Sequence, residues 1–425
     1  MSNRDDTTNM GAAEKAGGVA IDLQDERLIR SEGVFGGIRA LGSRIREGDL
    51  GSLPVIIGLV LIWTVFQILN PNFLSSTNLV NLTLQSAAVG TIAIGIVLVL
   101  LLGEIDLSVG SVSGLSSAIL AVTFVQQAWP IWLSLIASIA AGMLIGLLYG
   151  LLYTRFGVPS FVITLAGLLG FLGLQLLVLG RTGSINIPFD SFIVQFAQQM
   201  FLPDWLSYLL VAVTALAFAW QLLIQRGRRG AAGLSALSVT SIIVRSAALL
   251  LLLGTAAWYL NLTRGVGLMF LFFLGLVVLV NFFLTRTRWG RSIFAVGGSE
   301  EAARRAGIRV DRIYISVFML CSTFAAVGGI LAAARLASAN QGSGGADTNL
   351  NAIAAAVIGG TSLFGGRGSA FSALLGILVI MSISSGLTLL NLDSSVRYMI
   401  TGAVLLLAVI IDSLSRRSRA ASGRA

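Results

Sequence analysis

Histidine is absent from this chain of 425 residues, and cysteine and lysine each occur once, as Cys321 and Lys15. Without histidine, the chain cannot form a His-based metal site, a histidine general base or a Ser-His-Asp triad. A single cysteine excludes an intramolecular disulfide. The one lysine follows Glu14, so the Gly-Lys-Ser/Thr sequence that holds the phosphates of ATP in P-loop enzymes is missing. If ATP drives this protein, a partner hydrolyses it.

Charged residues are also scarce. They make up 11% of the chain, whereas about 25% is usual in a soluble domain. Hydrophobic residues make up 56%, and the mean hydropathy is +0.90. Basic residues lie between apolar runs rather than in one patch, so the high isoelectric point of about 10.7 does not indicate a nucleic-acid partner. The composition predicts an all-α polytopic membrane protein whose main partner is the lipid bilayer.

Twelve apolar runs are predicted to be membrane spans, which usually require about 20 residues each. The run at 351–365 is short, so we expect it to be broken, tilted or buried. A polar cytoplasmic tail over 1–50, with an amphipathic helix near 23–46, precedes a membrane domain at 51–413, and a basic cytoplasmic tail at 414–425 follows it. The predicted spans are 53–69, 79–102, 110–128, 131–154, 158–180, 205–224, 242–261, 266–284, 313–337, 351–365, 369–390 and 396–413.

The distribution of basic residues predicts the orientation of these spans. With twelve spans and both termini in the cytoplasm, 24 of the 28 basic residues lie on the cytoplasmic side. Positive charge is typical of cytoplasmic loops, and the reverse orientation breaks this rule at nearly every loop. The largest cytoplasmic loop is 285–312, and the largest outer one, 181–204, is expected to hold a short interfacial helix.

The first candidate site is Gly-Glu-Ile-Asp-Leu-Ser-Val-Gly-Ser at 103–111, because Glu104 and Asp106 are acidic residues within an apolar stretch. A carboxylate there is costly unless it meets water or a partner. Residues two apart do not share a helix face, so we expect an unwound segment. One interpretation places Glu104, Asp106 and Ser108 along a transport path. The other makes the carboxylates helix caps or partners of an arginine.

The second candidate site lies in the 285–312 loop. Ser299 is a suitable N-cap, Glu300 and Glu301 suit the first turn of a helix, and Arg304 and Arg305 suit its last turn. Gly307 is then expected just beyond the end of the helix. A short charged helix between two spans suits docking to a cytosolic partner, and the simpler alternative is a solvated helix without one.

The third candidate site is the glycine-rich stretch at 357–369, together with Asn349 and Asn351 before it. Closely spaced glycines allow helices to approach or to break. Thr361 and Ser362 would then present hydroxyls to a transport path, whereas the alternative is packing of small residues. The spacing of Gly142, Gly146 and Gly150 indicates helix packing rather than a site.

Four motifs resemble the permease subunits of bacterial ABC importers for pentoses and related sugars. They are Gly-Glu-Ile-Asp-Leu-Ser-Val-Gly-Ser (103–111), Val-Pro-Ser-Phe-Val-Ile-Thr-Leu-Ala-Gly (158–167), Gly-Gly-Ser-Glu-Glu-Ala-Ala-Arg-Arg-Ala-Gly-Ile (297–308) and Val-Ile-Gly-Gly-Thr-Ser-Leu-Phe-Gly-Gly (357–366). The likeness runs from about 70 to 413. Within this family, the extra stretch at 226–261 is similar to the D-xylose permeases, and it extends a family core of ten spans by two.

This resemblance implies a multi-pass permease of the bacterial inner membrane that imports a monosaccharide, with D-xylose expected. The implied partners are ABC ATPase subunits that carry ATP and Mg, a periplasmic sugar-binding protein and a second permease copy. The permease itself would need no cofactor or metal and would not be an enzyme. The resemblance to the family's ATPase-docking loop covers Ser299, Glu300, Glu301, Ala302, Ala303, Arg304, Gly307 and Ile308.

Two other classes of function are open at this stage, beside an ABC permease for another pentose or hexose. A secondary, ion-coupled sugar porter needs buried ionisable residues, and only Glu104 and Asp106 qualify. An intramembrane enzyme needs a nucleophile and a base, and Cys321 has no base near it in sequence.

Overall fold

The computed structural model describes residues 53–232 and 236–393, and some of the residues between 395 and 410. Within these ranges the chain is mainly helical, and nine helices are long and apolar enough to cross a membrane. This finding confirms an all-α polytopic membrane protein. The predicted tails at 1–50 and 414–425, the helix near 23–46 and most of the run at 396–413 lie outside the described residues.

The helices and strands are named here in chain order. The helices are α1 (Leu53–Leu69), α2 (Ser76–Leu101), α3 (Val109–Ala121, continued by a π-helical turn at Val122–Gln126), α4 (Ile131–Phe156), α5 (Ser160–Leu179), α6 (Phe192–Gln198), α7 (Asp204–Ala231), α8 (Val239–Asn261), α9 (Leu268–Arg286), α10 (Arg288–Gly298), α11 (Glu300–Arg305), α12 (Val310–Leu336), α13 (Ala346–Ile358) and α14 (Ala370–Leu389). Two short strands are β1 (Ser184–Asn186) and β2 (Ser338–Asn340).

The predicted apolar runs from 53–69 to 369–390 each contain a described helix. The exceptional run at 351–365 is divided, because α13 ends at Ile358 and a glycine-rich loop follows it. At only 13 residues, α13 is about 20 Å long, which is shorter than the hydrocarbon core of a bilayer. The expectation of a short or broken helix is therefore confirmed at this position.

The described chain forms two compact units. The smaller comprises residues 203–259, with α7 and most of α8. Both helices are strongly apolar, and α7 carries Arg228 and Arg229 in its last turn, where cations are favourable. The larger unit comprises the described residues of 51–202 and 260–417, and it contains every candidate site.

Helix α2 is the centre of the larger unit, since most of its residues are buried. It packs against α12, α14, α13 and α9. Helix α12 packs in turn against α4 through Gly142, Gly146 and Gly150. A methyl group added at Gly142 would lie 2.6 Å from the Ala326 side chain, and one at Gly150 would lie 2.6 Å from the Ile315 Cα. This stripe is therefore a packing surface, as its spacing predicts.

The two strands form a small antiparallel ladder in which Ser184 faces Asn340 and Asn186 faces Ser338. The ladder joins the segment after α5 to the segment after α12. Between β1 and α7 lies the seven-residue helix α6, which confirms the short helix expected in the 181–204 loop. The ladder thus fixes where the chain leaves α12 and enters the segment 341–345.

Candidate functional site

The segment between α2 and α3 is not helical, although both flanking helices are largely buried. Helix α2 ends at Leu101, and Gly103 follows with a φ of +83°, a conformation that favours glycine. Residues 104–108 then run without regular structure to the start of α3 at Val109. The acidic pair therefore lies in an unwound segment, as the spacing of Glu104 and Asp106 predicts.

Asp106 is 1% exposed, and the described contacts of its carboxylate are local or with α12. Its Oδ1 accepts from the Ser108 backbone N–H at 2.8 Å and from the Ser108 hydroxyl at 2.7 Å. Its Oδ2 faces the Cys321 thiol of α12 at 3.7 Å. The Tyr149 hydroxyl donates to Ser108 Oγ at 2.8 Å and closes the cluster. The carboxylate therefore fixes the turn that leads into α3, which favours a structural role for Asp106, whereas the Ser108 side chain makes no capping hydrogen bond to α3.

Asn349 joins the unwound segment to α13. Its Nδ2 donates to the Leu107 carbonyl at 2.6 Å, and its side chain is buried. A methyl group at Gly110 would lie 2.7 Å from the Gly344 carbonyl oxygen, so the first turn of α3 contacts the segment before α13 closely. Asn351, two residues further along α13, is half-buried. The starts of α3 and α13 therefore meet inside the larger unit.

Glu104 has a different environment from Asp106. It is half-buried, and its Oε1 accepts from the Tyr153 hydroxyl at 2.7 Å. The Tyr153 ring lies 4.5 Å from the Tyr314 ring, between centroids. Glu104 also borders a cavity of about 410 Å³, called here the Glu104 cavity, that reaches α11. The cavity is lined by Glu104, Tyr153, Thr154, Gly157, Pro159, Ser160, Phe161, Glu300, Arg304, Asp311 and Tyr314.

Helix α11 has the boundaries that its capping residues predict. The Ala302 backbone N–H donates to Ser299 Oγ at 3.3 Å. After Arg305, the Gly307 N–H donates to the Arg304 carbonyl, and the Ile308 N–H donates to the Ala303 carbonyl. This is the bonding pattern of a Schellman motif, and Gly307 supplies its positive φ of +80°.

The charges of α11 form ion pairs along its exposed side. Arg304 contacts Glu300 at 2.8 Å and Asp311 at 3.6 Å, and Arg305 contacts Glu301 at 3.3 Å. The hydrogen bond that Arg304 donates to the Glu300 carboxylate raises the pKa of Arg304 above its ordinary value, so Arg304 stays charged. Among the described residues, no group of three or more acidic or cysteine side chains could hold a metal ion.

The glycine-rich segment after α13 folds into a closed loop. The Ser362 N–H donates to the Arg367 carbonyl, and the Gly366 N–H donates to the Leu101 carbonyl at the end of α2. Thr361 is 1% exposed, and Ser362 Oγ accepts from the Phe364 N–H at 3.2 Å. These hydroxyls face neither the Glu104 cavity nor the cavity described next.

A second cavity of about 380 Å³ lies where α12 ends, and is called here the Arg335 cavity. Its volume is within the range of small-molecule sites. Buried Gln175 of α5 holds its loop wall, since Nε2 donates to the Asn340 carbonyl at 3.0 Å and to the Ser343 carbonyl at 2.9 Å. The lining comprises Gln85, Ala88, Val89, Ile92, Ser113, Ser117, Gly329, Ala332, Ala333, Arg335, Leu336, Gly342, Ser343, Gly344, Thr348, Met381, Ser384 and Thr388.

The two cavities lie at opposite ends of α12. Asp311 and Tyr314 border the first, and Arg335 and Leu336 border the second. A separation of 24 residues along a helix corresponds to about 36 Å, slightly more than the hydrocarbon core of a bilayer. The cavities are therefore placed to face opposite sides of a membrane.

Most of the polar residues that line the Arg335 cavity were not predicted from the sequence. One signal was present, because Ser113 and Ser117, and likewise Ser384 and Thr388, are spaced four apart in otherwise apolar helices. Such pairs place two hydroxyls on one helix face. Of the predicted path residues, Glu104 borders a described cavity, whereas Asp106, Ser108, Asn349, Thr361 and Ser362 are buried between helices.

Comparison with known proteins matches residues 78–409 to the family described as the permease component of the branched-chain amino acid transport system. The chain belongs to this permease family. The matched range covers all three candidate sites and both cavities. A permease component conducts a substrate across a membrane and is not an enzyme.

Several members of this permease family are similar to the chain over most of its length. The xylose transport system permease protein XylH of Escherichia coli is 35% identical over 392 residues, which cover 92% of this chain and 96% of that protein. XylH of Haemophilus influenzae is 33% identical, with coverage of 88% and 99%. The ribose import permease protein RbsC of Bacillus subtilis is 32% identical, with coverage of 86% and 94%. No solved structure matches the chain.

The contrast between Asp106 and Glu104 leads to a prediction. Asp106→Asn removes one acceptor from a buried cluster and introduces two N–H donors, so we expect a loss of about 1–3 kcal/mol in stability with normal uptake per folded molecule. Glu104→Gln keeps an acceptor for Tyr153, so its stability should change little. The measurements are a melting curve and substrate uptake per folded complex. Reduced uptake by fully stable Asp106→Asn protein would assign Asp106 to the transport path instead.

Proposed function

We propose that this chain is the membrane subunit of an ATP-driven importer for D-xylose. The observation that carries the proposal is similarity to XylH proteins from two bacteria over nearly the full length of both chains. The family description mentions amino acids, but the similar full-length relatives are sugar permeases, so they guide the choice of substrate. The hydroxyl-rich lining of the Arg335 cavity also suits a neutral sugar rather than an apolar amino-acid side chain.

The proposed mechanism is alternating access between the two cavities. A sugar-loaded periplasmic binding protein docks at the end of α12 that carries Arg335, and sugar enters there. Two ATPase subunits, which hold ATP and Mg, dock at the opposite end against α11. The charged, well-capped surface of α11 supports this assignment, because it is rigid and exposed. A second copy of the permease completes the complex.

The test of the proposed function is uptake by the reconstituted complex. Proteoliposomes containing the permease and its ATPase, supplied with the binding protein, should accumulate labelled D-xylose only when ATP is enclosed on the ATPase side. D-ribose and L-arabinose serve as competing substrates. Uptake driven by a proton or sodium gradient without ATP would instead support a secondary porter. ATP-driven uptake of another pentose or hexose in preference to D-xylose would correct the substrate alone.

The proposed topology has twelve spans with both termini in the cytoplasm, and it predicts opposite labelling of two new cysteines. Gln341 and Gly298 are both exposed, and the native Cys321 is fully buried, so it gives no background. In intact cells, Gln341→Cys should react with a membrane-impermeant thiol reagent. Gly298→Cys should react only after the inner membrane is opened. Labelling of position 298 in intact cells would reverse the proposed orientation.

A further inference from the structure

Arg335 provides the Arg335 cavity with its charge. It lies in the last turn of α12, and the other residues that line the cavity are uncharged. In the described part of the chain, the ion pairs are made by Arg304 and Arg305, and the Arg335 guanidinium has no carboxylate or hydrogen-bond acceptor as a partner. A half-buried guanidinium without a protein partner has its five donors available to a ligand.

The surroundings of Arg335 complement a polyhydroxylated ring. Ser113, Ser117, Ser384 and Thr388 bring hydroxyl groups from α3 and α14, and Gln85 brings an amide from α2. Hydroxyls both donate and accept, so they suit the hydroxyls of a sugar, which do the same. The apolar lining residues on α2 and α12 offer surface to the C–H faces of such a ring.

We propose that the Arg335 cavity binds the transported sugar, and that the Arg335 guanidinium recognises a pair of neighbouring sugar hydroxyls. Two parallel N–H donors of a guanidinium match two adjacent oxygen acceptors, a geometry that a lysine ammonium does not reproduce. This inference rests on the proposed function, because it assigns the substrate contact of the same transporter. Arg335 is thus a specificity-determining residue for neutral sugars with neighbouring hydroxyls.

A simpler role for Arg335 is possible, since a cation in the last turn of a helix stabilises the helix dipole. The two roles differ in what they predict. A dipole role needs only positive charge, so Arg335→Lys would behave like the natural protein. A recognition role needs the planar fork, so Arg335→Lys would keep the fold and lose sugar binding.

The experiment measures how far a bound sugar protects a cysteine in the cavity from alkylation. Ser384 lines the cavity, and serine and cysteine side chains are similar in size, so Ser384→Cys is a mild reporter. The purified full-length complex is alkylated with a small maleimide, with and without D-xylose. The anion D-xylonate is the second ligand, and xylose-free buffer is the control. Cys321 is fully buried and adds no signal.

We expect D-xylose to slow alkylation of Ser384→Cys, and the concentration for half-protection to rise at least about tenfold in Arg335→Lys and Arg335→Gln. Arg264→Gln is the matched control, because Arg264 contacts the Phe201 ring and does not line the cavity. Its protection should equal that of the Ser384→Cys parent.

Three results would overturn the proposal. They are no protection by D-xylose in the parent, equal protection in the Arg335 variants, and protection by xylonate but not by xylose. The parent result needs no Arg335 variant, so it decides the matter even if those variants fail to fold. ATP-driven uptake by the natural protein, without the Ser384→Cys reporter, is measured in parallel. Normal uptake without protection rejects the Arg335 cavity alone, whereas absence of ATP-driven uptake rejects the proposed function.

Discussion

Gly146→Leu is expected to prevent recovery of folded protein. A first side-chain atom at Gly146 would already lie 2.6 Å from the Met319 Cα, and the backbone of α12 cannot move away without opening its contacts with Gly142 and Gly150. Inserting extra carbons into a close-packed interface costs about 1–3 kcal/mol and sometimes more, and four carbons against backbone belong at the upper end. The measurements are the yield of monodisperse protein and its melting temperature.

Gly173→Leu is the matched control for this prediction. Gly173 is an exposed helical residue of α5, and a methyl group there would meet nothing within 4 Å. Leucine is also a better helix former than glycine, by up to about 1 kcal/mol. The control should therefore be as stable as the natural protein or slightly more stable. Equal yields and melting temperatures for the two variants would show that the α4–α12 contact is not tight.

Gly307→Pro is expected to abolish ATP-driven uptake while the protein still inserts. Proline fixes φ near −65°, whereas Gly307 has a φ of +80°, and proline also removes the N–H that donates to the Arg304 carbonyl. The end of α11 would therefore open, and the proposed ATPase-docking surface would lose its shape. Uptake and the amount of ATPase that co-purifies with the permease are the two measurements.

Gly307→Asn provides the comparison, because asparagine tolerates a positive φ better than other side chains. It should retain most uptake and most bound ATPase.

The role of charge is tested separately by Glu301→Arg, which breaks the ion pair with Arg305 and places two positive charges together. Wild-type uptake and complex yield in both Gly307→Pro and Glu301→Arg would contradict a docking role for α11.

Structural features that depend only on residues close together in the sequence could be predicted from it. The capping of α11 depends on residues 299–308 alone, so Ser299 and Gly307 marked both of its ends correctly. The unwound segment after α2 could also be anticipated, because Glu104 and Asp106 cannot share a helix face and Gly103 permits the turn. Apolar runs located the spans for the same reason, since a bilayer imposes a minimum length on each.

The cavities could not be predicted, because distant parts of the chain form them. Gln85, Ser113, Arg335 and Ser384 come from four different helices, and no local pattern relates them. In the sequence, Arg335 is only one basic residue near the end of the predicted span at 313–337. Likewise, the surroundings of Asp106 decide between its two interpretations. Tyr149 and Cys321 belong to these surroundings, and they lie 43 and 215 positions further along the chain.

The length of α12 has a mechanical consequence. This helix of 27 residues is about 40 Å long and extends between the two cavities. Its close contacts with Gly142, Gly146 and Gly150 of α4 keep it straight and rigid. If α12 rotates by about 10° around its midpoint, each end moves by about 3.5 Å, and the two ends move in opposite directions. A rigid-body rotation of this kind enlarges one cavity as it narrows the other, without any helix bending or unwinding.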